Sequence, residues 1–237
     1  LLQQKEKEAQ TNREVAHKDS LWQKKYMFGL FSGILMMLFQ QFSGINAILT
    51  NLANLMDESG LALDGSYQGG IATIAQLIAV VVGGLIMDKL GRKLVWIMSC
   101  AIIIVFILIY ALNVKYDWST VLPLVCIFLY QLGFGLGEGP IPWFIIPEYF
   151  NDDVRPLATT IVSASNWVFA FIVILVWPSM KKHMGMFGAL IFFMFVSVGG
   201  LLFGIFCIHE PKKVDDDDKF EKKEDEESSV SDQPEFL

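Results

Sequence analysis

Three carboxamides, Gln40, Gln41 and Asn46, fall within seven residues near the middle of a run, 26–56, that contains no charged side chain. An amide buried in hydrocarbon without a hydrogen-bond partner costs roughly 2–7 kcal/mol. Each amide carries two donors and an acceptor, the equipment for binding hydroxyl groups or for gluing helices together. A fourth polar group, Glu138, lies in "GFGLGEGPIPW", residues 133–143, and Trp143 closes that stretch. A charge in a spanning helix costs about 2.5–3.5 kcal/mol on insertion scales and usually faces a cavity or a partner. Glu138 is therefore expected to face an aqueous cavity, accepting hydroxyl hydrogens or exchanging a proton.

The elements that position these groups are apolar. The chain is 54% hydrophobic and only 18% charged, with 19 Phe. Uncharged runs cover 26–56, 65–87, 94–114, 118–137, 156–180 and 184–208. Each reaches the roughly 20 residues needed to cross about 30 Å of hydrocarbon. The expected fold is an all-α membrane protein, a bundle of six transmembrane helices over 26–209. Residues 1–25 read as a cytosolic helical linker and 210–237 as an acidic, disordered cytosolic tail. That tail carries the whole net charge of −7. The chain starts without Met in a charged segment, which reads as the back portion of something longer.

Lysine and arginine set the orientation. With six spans both termini share a side, and that side collects Lys89, Arg92, Lys93, Arg155 and the terminal basic residues. The other side holds Lys115, Lys181 and Lys182. Both termini are thus expected in the cytosol, with the plasma membrane as the site. Cys100, Cys126 and Cys207 all fall within spans, so no disulfide framework is indicated. Neither a metal-ligand cluster nor a nucleophile triad appears in the sequence, and an enzyme is not expected; no cofactor, metal or nucleic acid is implied. "GFGLGEG" approaches a nucleotide-binding glycine pattern, but it follows a spanning helix rather than a strand.

Two spans are interrupted. Gly44 can release the helix at "SGIN", and Pro140 and Pro142 break the fourth span. A membrane tolerates such breaks only where protein or a watery cavity satisfies the freed backbone. The interrupted helices come first in each set of three, the pattern that points to a transporter's midplane site. On an unbroken helix Gln41 and Asn46 would point about 140° apart. They converge only if the helix unwinds near Gly44, and a binding site there is preferred to simple helix glue.

Four stretches together resemble a known family: "QQFSGINA", "GGLIMDKLGRK", "GPIPWFIIPEYFNDDVRP" and "SNW". They are similar to the sugar porters, the hexose-transporter branch of the major facilitator superfamily, over its carboxy-terminal half. The resemblance implies one half of a transporter in which two six-helix bundles rock about a central monosaccharide. It implies sugar contacts at Gln40, Gln41, Asn46, Trp143, Asn166 and Trp167, with Gln76 where many members have Asn. Amides then suit a neutral ring of hydroxyls that must also be released, since charged hydrogen bonds are stronger. The implied partners are the sugar, the lipid bilayer and a missing amino-terminal six-helix half.

The "GGLIMDKLGRK" loop matches a superfamily pattern at Gly84, Asp88, Gly91, Arg92 and Lys93. Gly91 is expected to make a tight turn across which Asp88 and Arg92 pair. With Glu148 and Arg155 these charges are expected to latch the cytosolic face. The chain departs from the family at Thr50 and Asn51, where an aromatic pair often stands, and at Glu138, where relatives often have Pro. The competing readings are a non-transporting sugar sensor and an inactive truncated fragment.

Overall fold

The computed structural model describes residues 20–208. The acidic tail and most of the amino-terminal linker lie outside the described residues. Among the described residues all regular structure is helical. The first span is α1 (Lys24–Phe42), then a break at Ser43 and Gly44, then α2 (Ile45–Thr50) and α3 (Leu52–Asp57). α4 (Gly65–Leu90) and α5 (Arg92–Tyr116) are unbroken. Asp64 caps α4 by accepting from the Ser66 N–H at 2.8 Å, and Gly91, at φ 85°, makes the expected tight turn. The fourth span is α6 (Leu122–Gly133), a π-helical turn (Phe134–Glu138) and α7 (Ile141–Glu148).

The last helical segment, α8 (Arg155–Phe206), carries 52 residues. At about 1.5 Å per residue it would be about 78 Å long, more than twice a bilayer core. Gly185, at φ 69° and ψ 172°, folds it into two arms. Among the described residues five helical spans are long and apolar enough to cross a membrane, and with the last one folded into two arms there are six crossings. The fourth crossing continues past the break at Pro140 and Pro142 to Glu148. The uncharged run ends at Glu138, but that carboxyl is buried inside the bundle and does not mark a membrane surface.

Two apolar clusters fill the bundle. One, toward the α3 end, gathers Ile48, Leu55, Ile103, Ile107 and Phe193. The other gathers Met36, Met37, Trp96, Ile141 and Phe203. The amides of the first break lie between them along the chain. Gly44 is required there twice over: its φ is 95°, and a Cβ would stand 2.4 Å from the Phe193 ring.

Close contact between α4 and the fourth span is carried by Gly83, not by Gly84. A Cβ on Gly83 would meet the Leu136 carbonyl oxygen at 2.3 Å, whereas Gly84 has open space around it. The two neighbouring glycines should therefore respond oppositely. Gly83→Ala should lower stability by about 1–3 kcal/mol through overpacking against backbone. Gly84→Ala should be neutral or raise it by about 0.5–1 kcal/mol through helix propensity. Thermal melts of both variants in detergent check this, and equal responses would show that Gly83 does not carry the close contact of α4 with Leu136.

Candidate functional site

The site is built on the two breaks. Proline at 142 has no N–H, so the Glu138 carbonyl loses its usual helical donor. The Trp143 N–H bonds the Pro140 carbonyl at 3.1 Å, which leaves the Gly139 carbonyl free as well. Gln40 reaches across from α1 and donates its Nε2 to both, at 2.8 Å to Glu138 O and 2.7 Å to Gly139 O. The family resemblance makes Gln40 a sugar contact. Here its donor side closes the broken backbone instead.

The other face of the Gln40 amide starts a chain of amides. Gln41 Nε2 donates to Gln40 Oε1 at 3.3 Å and to Asn166 Oδ1 on α8 at 2.6 Å. Asn46 Nδ2, beyond the break, donates to Gln41 Oε1. The unwinding at Gly44 thus does what an intact helix could not, turning Asn46 back onto Gln41. Ser43 Oγ donates to the Gln40 carbonyl at 2.7 Å, tying the end of α1. Gln40, Gln41 and Asn166 are buried, while Asn46 is half-buried and opens the chain to its surroundings. Four amides from α1, α2 and α8 therefore satisfy one another in one place, each able to exchange an amide partner for a hydroxyl.

The structure leaves the remaining expected contacts outside that network. Gln76 is half-buried on α4, and its side chain makes no hydrogen bond among the described residues. Trp143 is 43% exposed and lines a small cavity of about 70 Å³ with Met37, Pro142 and Ser163. Ligand sites usually run to roughly 300–1,000 Å³, so that cavity by itself holds no sugar. Trp167 is 70% exposed on the bundle surface although Asn166 beside it is buried, since neighbours on a helix diverge by about 100°.

Glu138 is a correction. It does not face an aqueous cavity: it is fully enclosed, and neither carboxyl oxygen has a hydrogen-bond partner among the described residues. Its backbone, by contrast, is fully used. The Glu138 N–H donates to Ser99 Oγ at 2.8 Å, and that hydroxyl donates onward to the Gly133 carbonyl at 2.7 Å. Ser99 on α5 thereby stands inside the ladder of the π-helical turn and holds it open. Nothing in the sequence marks Ser99, because one serine in an apolar helix is unremarkable by type.

The charges expected to form a latch divide. Arg92 Nη2 bonds Glu148 Oε1 at 2.7 Å, joining the start of α5 to the end of α7. Asp88 does not pair with Arg92; it is exposed on the far side of the Gly91 turn. Arg155 does not join the pair either. It bonds Asp152 at 2.5 Å and donates Nε to the carbonyls of Pro147 and Phe150, which fixes the turn into α8. At the opposite end Lys181 donates to both Glu58 carboxyl oxygens, at 2.6 and 2.8 Å.

A family model described as "Sugar (and other) transporter" matches residues 2–217. The chain belongs to this family. It is a multi-pass membrane protein, and the members of this family are transporters rather than enzymes. The facilitated trehalose transporter Tret1 of Bombyx mori is 33% identical over 202 residues, covering 81% of this chain and 39% of that protein. A Tret1-2 homolog of Drosophila simulans is 35% identical over 184 residues, covering 75% and 38%. This family member thus spans about two fifths of the length of those relatives. Among solved structures, a D-xylose–proton symporter superposes with a TM-score of 0.73 over 86% of the chain and 48% of its own. At 24% identity that likeness speaks to the fold.

The Gln40 bridge and the Glu138 carboxyl make opposite forecasts for stability. Gln40→Leu strips the donor from two enclosed carbonyls and should destabilise the bundle by about 2–6 kcal/mol, taking about 1–3 for each. Glu138→Met removes a fully enclosed carboxyl while filling the same space. It should stabilise by about 1–3 kcal/mol. Denaturation midpoints in detergent measure both, and a destabilised Glu138→Met would mean that the carboxyl has a partner after all.

Proposed function

We propose that the chain is one six-helix half of an alternating-access transporter for a neutral monosaccharide of the hexose class. One observation carries this reading: four amides from three helices converge beside two helix breaks, with no ionised group bonded among them. Such a set binds hydroxyls without holding them at the strength of charged hydrogen bonds. Gln41, Asn46 and Asn166 are the binding groups, Gln40 positions them through the broken backbone, and Trp143 closes the site from α7. The second half of the site belongs to another six-helix bundle. Both termini lie in the cytosol, in the plasma membrane, and the Arg92–Glu148 pair stiffens the cytosolic end of this half.

A second reading is a disaccharide. It draws on the names of the Bombyx and Drosophila relatives, which are trehalose transporters.

The test is spectroscopic and local. With the chain in lipid nanodiscs and its side-chain amides labelled with nitrogen-15, D-glucose should shift the Gln41, Asn46 and Asn166 resonances, and L-glucose should not. Trehalose run in parallel separates the two sugar sizes. Vesicles holding this chain alone should show no saturable, stereospecific uptake, because half of the site is elsewhere. Binding of D-glucose that moves none of the three amides would overturn the assignment of the site.

A further inference from the structure

A second polar cavity lies at the end of the bundle opposite the Arg92–Glu148 pair. Its volume is about 360 Å³, within the usual range for small-molecule sites. Its walls come from α3, the ends of α5 and α6, and the second arm of α8, so it is separate from the amide network at the helix breaks.

The polar groups of this cavity are built rather than scattered. Tyr110 and Asn113 are 3% and 5% exposed, so both are buried, and both line the cavity. The Tyr110 hydroxyl has no hydrogen-bond partner among the described residues. Asn113 uses only its Oδ1, which accepts from the Ser119 N–H at 3.0 Å and leaves the amide nitrogen free. Neither the hydroxyl nor the amide nitrogen is sealed away from open space. Two buried residues with unused donors thus line the same cavity.

Two exposed carboxylates line the same cavity. Glu58 lines the cavity with its charge offset by Lys181. Asp117 lines it too and forms no ion pair among the described residues. Leu55, Pro123 and Met186 supply the apolar wall.

This inventory selects a ligand class. An anion would meet two carboxylates. A simple cation would satisfy Asp117 but leave the Tyr110 and Asn113 donors without an acceptor. A divalent ion needs more oxygen ligands than are gathered, and no group of three acidic, His or Cys side chains converges among the described residues. A polyhydroxylated ligand offers hydroxyls that both donate and accept, with C–H faces for the apolar wall. We infer that this cavity is a second saccharide-binding site, taking a neutral mono- or disaccharide outside the transport path, with Asp117, Asn113 and Tyr110 as its hydrogen-bonding groups. On the proposed orientation it opens to the outside of the cell.

The experiment separates this site from the first. The chain in nanodiscs is titrated with D-glucose and with trehalose, and the Asn113 side-chain resonance is followed beside those of Gln41 and Asn166. Gln41→Leu should leave the Asn113 response in place. Asp117→Asn, which keeps a residue type tolerant of the left-handed backbone at φ 52°, should weaken that response about tenfold or more, the effect of losing a charged hydrogen bond. Tyr110→Phe, which keeps the ring, should weaken it about two- to tenfold. Both variants should melt like the parent, because neither group bonds the protein. Three outcomes would overturn the inference: an Asn113 response lost in Gln41→Leu, an Asn113 response indifferent to both outer variants, or calcium chloride displacing the sugar from Asn113. Loss of the Gln41 and Asn166 responses alone would instead count against the transport site and leave this one standing.

Discussion

The carbonyls of Glu138 and Gly139 are released by prolines in the middle of a membrane helix, and everything about the central site follows from how they are satisfied. In hydrocarbon an unpaired carbonyl has no water to turn to. The Gln40 amide supplies both bonds from a neighbouring helix, and in doing so fixes α1 against the fourth span. Gln41 follows Gln40 in sequence, so fixing one amide places the next, and Gln41 then draws in Asn166 and Asn46. Ser99 serves the preceding turn in the same way, occupying the gap between the Gly133 carbonyl and the Glu138 N–H. The polar core of this membrane bundle is a repair of broken backbone that also exposes hydrogen-bonding capacity.

This arrangement accounts for how the proposed site for a neutral ligand can exist among apolar helices. Amides that bond one another at rest impose no unpaired polar group, yet each can trade its partner for a hydroxyl at small net cost. The positions of the breaks matter for the same reason. Continuous helices satisfy their own backbones and have no need of amides, whereas the two carbonyls just before α7 depend on a side chain from α1. The long arms of α5 and α8 provide the fixed frame. Ion pairs stand at the ends: Arg92 with Glu148 at one, Lys181 with Glu58 at the other.

Much of this is legible in residue types. The six crossings follow from uncharged runs, the Gly44 break from "SGIN", and the convergence of Gln41 and Asn46 from the helical angle between them. Two expectations fail. The cost of a charge in a span points Glu138 toward a watery cavity, but the fold encloses that carboxyl. Asp88 and Arg92 flank one turn and so look like a pair, but Glu148, distant in sequence, is the residue that meets the guanidinium.

The sequence by itself determined what lies in the membrane, where the helices must break and which side chains carry hydrogen-bonding capacity there. These are local properties, set by hydropathy over about 20 residues and by the backbone chemistry of glycine and proline. Only the tertiary structure decided which polar groups meet. That Gln40 serves carbonyls 98 and 99 residues away, that Ser99 enters the π-helical turn, and that Gly83 rather than Gly84 touches Leu136 depend on how helices rotate and slide against one another. Those rotations are fixed by close packing across the whole bundle, and close packing is a property of pairs of surfaces that no single stretch of sequence contains.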